Sequence, residues 1–218
     1  MLYTRQNVRE NIRNREGKRV FYLGKGDQLT SDARDWLTRE RIPILPAEQA
    51  KQDTYRLLGG GQVTEKPEHM THLNAQVLVP KIHPRIAFRG ALDLLEAQLL
   101  LCGQQEALDL ARLLIRCDVL EEPVPETKLG GMDEGQLRSR SHRPQDYYGQ
   151  PHFMPATTDG AQLLQLNLAR AVARQAELAA VHAFTDRDGI PTRPDILKAL
   201  NRLSSYLYIL MIELKAKQ

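Results

Sequence analysis

Beginning at Pro194, the sequence places leucines at positions 197, 200, 203, 207, 210 and 214, three or four residues apart. That interval is one face of an α-helix, and an apolar helical face has to be buried against other elements. The same spacing recurs upstream. Pro84 suits the first turn of a helix, and Phe88, Leu92, Leu95 and Leu99 then form a core stripe that Gly103 ends. Leu110, Leu113, Leu114 and Cys117 mark a second helix over 104–119, stopped by Pro123 and Pro125, and a long helix is predicted over 159–183. With only 6% aromatic residues, the chain reads as a mainly α protein built on a helical bundle. The segment 121–155 is rich in Pro and Gly, with one short helix from Asp133 to His142. So long a connection is usually functional or mobile, which makes it a candidate lid.

The first 65 residues read differently, as a small N-terminal α/β extension ahead of a bundle domain over 66–218. They hold a short helix from Thr4, a strand at Val20–Leu23, a turn at Gly24–Asp27, a helix capped at Thr30, and an extended, proline-flanked Ile42–Pro46. Gly59-Gly-Gly61 and the residues to Pro67 read as a flexible junction.

Charge and cysteines narrow the function classes. The net charge of +3 is uneven: residues 1–20 carry six basic groups against Glu10 and Glu16, a local +4, so the rest of the chain sums to −1. A neutral body argues against nucleic acid as a partner, because phosphate tracking needs a basic face. The basic segment, with Val8 and Ile12 four apart, reads instead as an amphipathic arm that docks on a partner. Cys102 and Cys117 lack a C-x-x-C spacing and read as buried small hydrophobes in a reducing compartment. No apolar run reaches the ~20 residues of a membrane span, and the opening lacks a secretory signal. The expectation is a cytoplasmic protein with no membrane contact.

Three polar sets interrupt the apolar helices. Arg170, Arg174 and Glu177 share one face, either a solvated face with an Arg174–Glu177 pair or a like-charge arginine pair that an anion would relieve. Asn201 and Arg202 lie beside the last leucine stripe, where an asparagine can be a register device or a ligand. Arg85, Arg89, Asp93 and Glu96 form the polar face opposite Phe88, with Arg89–Asp93 open to a within-helix pair. Just upstream, Thr71, His72, Leu73 and Lys81 form a plausible phosphate cradle of loop amides, hydroxyl and lysine at a helix start. No Walker lysine motif is present.

These residues carry a family resemblance. The stretch from Arg193 to Leu210 resembles the Leu-Asn-Arg-Leu-Ser signature of corrinoid adenosyltransferases of the PduO-like superfamily, most of all the ethanolamine-utilisation (EutT) type. Lys81 to Asp93 is similar to the family's Lys-x-x-Pro-Arg stretch and following helix, Asn167 to Glu177 to its Arg-Arg-Glu motif, and Asp27 to Leu37 to the leader of ethanolamine-type members. The resemblance implies an up-and-down five-helix bundle and a homotrimer with active sites between subunits. The implied reaction joins ATP and cob(I)alamin into adenosylcobalamin with release of triphosphate, with ATP, Mg²⁺ and cobalamin as the bound species.

The resemblance also implies roles. Thr71, Lys81, Arg170, Arg174, Glu177, Asn201 and Arg202 bind ATP; Asp93 pairs with Arg174 across the subunit interface; Phe153 faces cobalt, unless it is an ordinary core residue, and Phe88 lies beside the corrinoid. A reductase and microcompartment shell or cargo proteins are the implied partners. Two departures stand out. The phosphate loop of propanediol-type members is not visible unless Gly24–Asp27 is a remnant, and the region 59–68 lacks the cysteine cluster with which many ethanolamine-type members bind a metal, so no structural metal is expected. The rival reading is a protein of the same fold that delivers adenosylcobalamin without making it.

Overall fold

The computed structural model describes residues 1–15, 18–49 and 54–217. Glu16, counted in the basic segment, lies outside the described residues. The chain divides into two compact units, Met1–Pro67 and Glu68–Gln218.

The first unit runs β1 (Leu2–Tyr3), α1 (Arg5–Glu10), β2 (Ile12–Arg15), β3 (Lys18–Leu23), β4 (Gln28–Leu29), α2 (Ser31–Arg39), β5 (Ile44–Pro46), a 3-10 turn (Ala47–Gln49), β6 (Tyr55–Leu57) and β7 (Gln62–Val63). β1 pairs parallel with β4, and β3 lies between antiparallel β2 and parallel β5. The Thr30 hydroxyl caps α2 by accepting from the Ala33 amide at 3.3 Å. Val8, Phe21, Ala33, Trp36, Leu37 and Ile42 form the core of this unit, with Ile12 packed against it. The expected docking arm is therefore folded into its own unit: Val8 is wholly buried, so its apolar face is already covered. Within the stretch read as a junction, the Gly59–Gly61 run is a hairpin turn, and the division between units falls at the end of that stretch, after Pro67. Gly60 and Gly61 have φ of 97° and 88°, conformations that favour glycine, and β6 pairs antiparallel with β7 around them.

The second unit begins with the hairpin β8 (Met70–His72) and β9 (Val77–Pro80). It continues through α3 (Pro84–Cys102), α4 (Gln105–Leu120), α5 (Glu134–His142), α6 (Pro144–Tyr148), α7 (Ala161–Phe184) and α8 (Pro194–Lys215). Four of these helices are long. The expected five-helix count gives way, among the described residues, to six, because the segment after α4 folds as two short helices. α7 packs extensively on both α3 and α8, α4 lies on α3, and α5 covers α8. The leucine stripes meet in one core that includes Leu92, Leu95, Leu99, Leu114, Leu200, Leu203 and Leu207, and each fully buried leucine contributes about 1.5–3 kcal/mol over an exposed one. The candidate lid is docked, since Leu129, Met132 and Leu137 belong to that same core. Cys117 is buried and Cys102 half-buried, both as free thiols. No helix among the described residues is long and apolar enough to cross a membrane.

Of the buried polar side chains among these helices, one has no exposure at all. Asp118, near the end of α4, is fully buried, and its carboxylate accepts from Arg85 Nε at 2.8 Å and Arg89 Nε at 2.5 Å. The rest of each guanidinium is also engaged. Arg85 donates to the Asp118 carbonyl at 2.7 Å and to Glu121 at 3.1 Å, and Arg89 donates to the carbonyls of His72 and Leu73 at 3.2 and 2.7 Å. Arg89 is thus captured by α4 and the β8–β9 turn, which settles the open alternative against a within-helix Arg89–Asp93 pair. Removing one partner of a buried pair strands the other charge. Asp118→Ala should therefore lower stability by about 3–5 kcal/mol, read from the urea midpoint of the helical unit, with Asp118→Asn losing less.

Candidate functional site

The expected polar residues meet along the seam of α7 and α8. Glu177 on α7 accepts from Asn201 Nδ2 on α8 at 3.0 Å. Seven residues earlier on α7, the Arg170 guanidinium lies 5.0 Å from the ring centroid of Tyr208, seven residues later on α8. The partners ascend one helix while descending the other, so the two helices run antiparallel with two cross-links about 10.5 Å apart. Neither Arg170 nor Glu177 is then left to a solvated ion pair. The crowding of Arg170 over Arg174 is relieved in the protomer by the negative face of an aromatic ring. Burial first, then the Arg174 charge, lowers the pKa of the Arg170 guanidinium, and Tyr208 opposes them; an arginine stays protonated throughout.

Between the two cross-links lies Arg174, exposed and with no bonded partner in the described structure. Beside the lower cross-link, Arg202 Nη2 donates to the Asn201 carboxamide oxygen, while its Nε and Nη1 are buried without a hydrogen-bond partner. Burial is the main force lowering the Arg202 pKa. Arg202 also lines a cavity of about 660 Å³ between residues 124–129, the start of α5 and the first turns of α8, where Lys128 and Lys198 join it. Lys198 is paired there with Glu134 at 2.8 Å.

The remaining expected residues are dispersed. Thr71 is in β8, in register with Val79 of β9, so the expected loop cradle is a strand pair. Lys81 follows β9 and donates to Glu68 at 3.0 Å in an exposed pair, which a stronger anion can displace at little cost. Asp93 is exposed on α3 with no bonded partner, and no Asp93–Arg174 bond exists within the protomer. Phe153 is half-buried, its ring 6.2 Å from that of Tyr208 and inclined by 25°. Phe88 is fully buried and meets Phe184 edge-on at 5.3 Å. It packs the core and offers no face to a corrinoid.

Sequence reasoning missed Asp118, Tyr208 and His152. Asp118 was legible as an acid four residues after Leu114 on the apolar side of α4, but nothing nearby in sequence names its partners, 29 and 33 residues away. Tyr208 sits seven residues after Asn201, a signal visible only once Asn201 is assigned to the helix seam.

With this geometry in place, the chain can be compared with known proteins. Residues 131–214 match the cobalamin adenosyltransferase family. That stretch runs from the approach to α5 through α8 and holds every residue of the α7–α8 seam. The corrinoid adenosyltransferase EutT of Salmonella typhimurium is 38% identical over 165 residues, covering 71% of this chain and 62% of that protein. The corrinoid adenosyltransferase EutT of Escherichia coli is 37% identical over 166 residues, with 72% and 62% covered. The chain spans about three fifths of the length of the curated relatives it matches. A variant PduO-type ATP:corrinoid adenosyltransferase from Lactobacillus reuteri, whose structure is complexed with cobalamin and ATP, is 17% identical with a TM-score of 0.48, covering 78% of this chain and 93% of that one.

The seam is anchored at the start of α8. Arg193 clasps Asp195 with bonds of 2.9 and 2.8 Å and reaches the Glu122 carbonyl at 2.8 Å, while the Val124 amide donates to Asp195 at 2.9 Å. The Arg193 contact is the largest influence on Asp195 and, against the cost of burial, holds its carboxyl down at about 2. A carboxyl depressed on folding stabilises the fold above its unfolded pKa of about 3.9, and that contribution fades as pH falls toward the folded value. Thermal melts between pH 4 and pH 2 should accordingly show a shallower loss of Tm in Asp195→Asn than in the parent protein.

Proposed function

We propose that this chain is an ATP:cob(I)alamin adenosyltransferase, transferring the 5′-deoxyadenosyl group of ATP to the Co(I) of cobalamin and releasing triphosphate. The observation that carries this reading is the α7–α8 seam, with Arg174 between two cross-links that already satisfy Arg170 and Glu177. Its guanidinium is rigidly flanked, exposed and uncommitted, which suits it to an incoming polyanion. The match to cobalamin adenosyltransferases over this same stretch supports the assignment.

In this reaction Co(I) attacks the 5′ carbon, so the protein contributes position and charge rather than a covalent intermediate. It must hold the carbon in line with cobalt and stabilise the negative charge that gathers on the departing triphosphate. Arg170 and Arg174 supply cations at fixed height on α7. Asn201 orients Glu177 for the nucleotide, and Arg202 adds a guanidinium at the lower end of the seam. Lys81 can exchange Glu68 for phosphate, with Thr71 beside it on the β8–β9 hairpin. Mg²⁺ would be carried on the phosphate oxygens, its usual ligands in nucleotide sites. The half-buried Phe153 is the aromatic that would stand against cobalt in place of the lower nitrogen ligand, and loss of that donor raises the Co(II)/Co(I) potential.

Assembly as a homotrimer fits the same reading. Leu94 and Leu101 on α3 and Leu168 and Leu178 on α7 are at least half exposed, and association would take these leucines out of water. Asp93 and Arg174, opposite in charge and unbonded within the protomer, suit a pair formed between subunits; a guanidinium has five donors, so a carboxylate on one edge leaves the other edge of Arg174 for the nucleotide.

The test is an anaerobic assay with chemically reduced cobalamin and Mg·ATP, in which adenosylcobalamin and triphosphate should form in equal amounts. Arg174→Ala and Asn201→Ala should each lower kcat/KM by roughly 10- to 100-fold, with the circular dichroism spectrum retained. Absence of adenosylcobalamin from the parent protein would overturn the assignment, and parent-like rates in both variants would overturn the site.

A further inference from the structure

The Tyr208 side chain touches both ends of the proposed chemistry. Its ring carries the Arg170 guanidinium at 5.0 Å on the nucleotide side. The same ring stacks with His152 at 5.7 Å, the two planes within 7° of parallel, and with Phe153 at 6.2 Å. Its hydroxyl lies 2.9 Å from His152 Nδ1, and His152 Nε2 lies 3.3 Å from the His142 carbonyl. A carbonyl can only accept, so Nε2 carries the proton; in the neutral ring Nδ1 is then the acceptor and the Tyr208 hydroxyl donates to it. The His152–Phe153 dipeptide is therefore fastened to α8 through Tyr208, and through His142 to the end of α5. Met154, the next residue, is 89% exposed, so the fastening stops at Phe153.

We propose that Tyr208 is a positioning residue that couples the corrinoid and ATP sites, so that each substrate, on seating, sets the residue that meets the other. This rests on the adenosyltransferase reading for the roles of Arg170 and Phe153. An anion drawn to Arg170 fixes the guanidinium over Tyr208, the fixed ring holds Phe153 at one inclination, and a corrinoid pressed on Phe153 returns the constraint to Arg170. Coupling of this kind is reciprocal: each ligand must strengthen the other's binding by the same factor.

The experiment measures the dissociation constant of Mg·ATP by calorimetry, with and without saturating cob(II)alamin, in the parent protein and three variants. In parallel, electron paramagnetic resonance reads the fraction of cob(II)alamin that has lost its lower nitrogen ligand, with and without ATP. The parent protein should bind ATP about five- to tenfold more tightly when the corrinoid is present. Tyr208→Leu, which removes the ring, should bring that factor close to one and abolish the dependence of the resonance signal on ATP. Tyr208→Phe keeps the ring under Arg170 but releases His152, so its ATP affinity without corrinoid should stay within about twofold of the parent while the coupling falls. His152→Ala, at an exposed position, should lower the coupling in the same way, and it carries the test should Tyr208→Leu not fold.

A side chain that merely packed would weaken both ligands without changing the factor between them. An unchanged factor in Tyr208→Leu and His152→Ala therefore overturns the proposal, as does a parent protein that turns over with no coupling. Coupled binding without turnover overturns the transferase reading while leaving the coupling in place, and a parent that binds neither substrate overturns both.

Discussion

The helical unit is arranged around the charge of Asp118. An unpaired carboxylate with no access to water would cost several kcal/mol, so α3 has to deliver both Arg85 and Arg89 to it, one turn apart on the same face. Meeting that demand fixes the rotation of α3 about its axis, and with it the direction of the leucine stripe that packs against α7. The spare donors of Arg89 then hold the carbonyls of His72 and Leu73, so the hairpin that carries Thr71 is tied to the bundle through the same buried acid.

α7 depends on this frame because it is the helix that both α3 and α8 pack against. With its inner face committed to the core, the outer edge presents Arg170, Arg174 and Glu177 at fixed heights. α8 then answers the first and the last with Tyr208 and Asn201 and leaves the middle one alone. Selectivity for a ligand along this edge is a matter of which cation the neighbouring helix leaves unanswered. A bare count of arginines on α7 does not contain that information.

What the sequence made legible followed from periodicity. The stripes at Phe88–Leu99 and Leu197–Leu214 located α3 and α8, and the spacing of Arg170, Arg174 and Glu177 put them on one face, as found. Partnership was less accessible. Glu177 and Asn201 are 24 residues apart, and whether Glu177 bonds Arg174 or Asn201 depends on the register between two helices, which no single helix encodes. The connection after α4 is legible only in part: the short helix from Asp133 to His142 is present, with Asp133 as its cap, but prolines and glycines disguise Leu129, Met132 and Leu137, whose burial comes from packing on the bundle and not from any local pattern. In the N-terminal unit Val8 and Ile12 showed the correct helical spacing, yet Ile12 opens a strand, so the two meet the core from different elements.

The antiparallel seam has a consequence for how such a chain can vary. Its two cross-links lie seven residues apart on α7 and seven apart on α8, and one residue inserted between them on either helix turns it by about 100° and carries a partner off the seam. Residues 185–193, which join the two helices, lie outside both spans and can change in number without altering the match. Length along 170–177 and 201–208 is thus held common to the two helices like the pitch of a nut and bolt, and related chains should show their insertions and deletions in the connection while these two octets keep step.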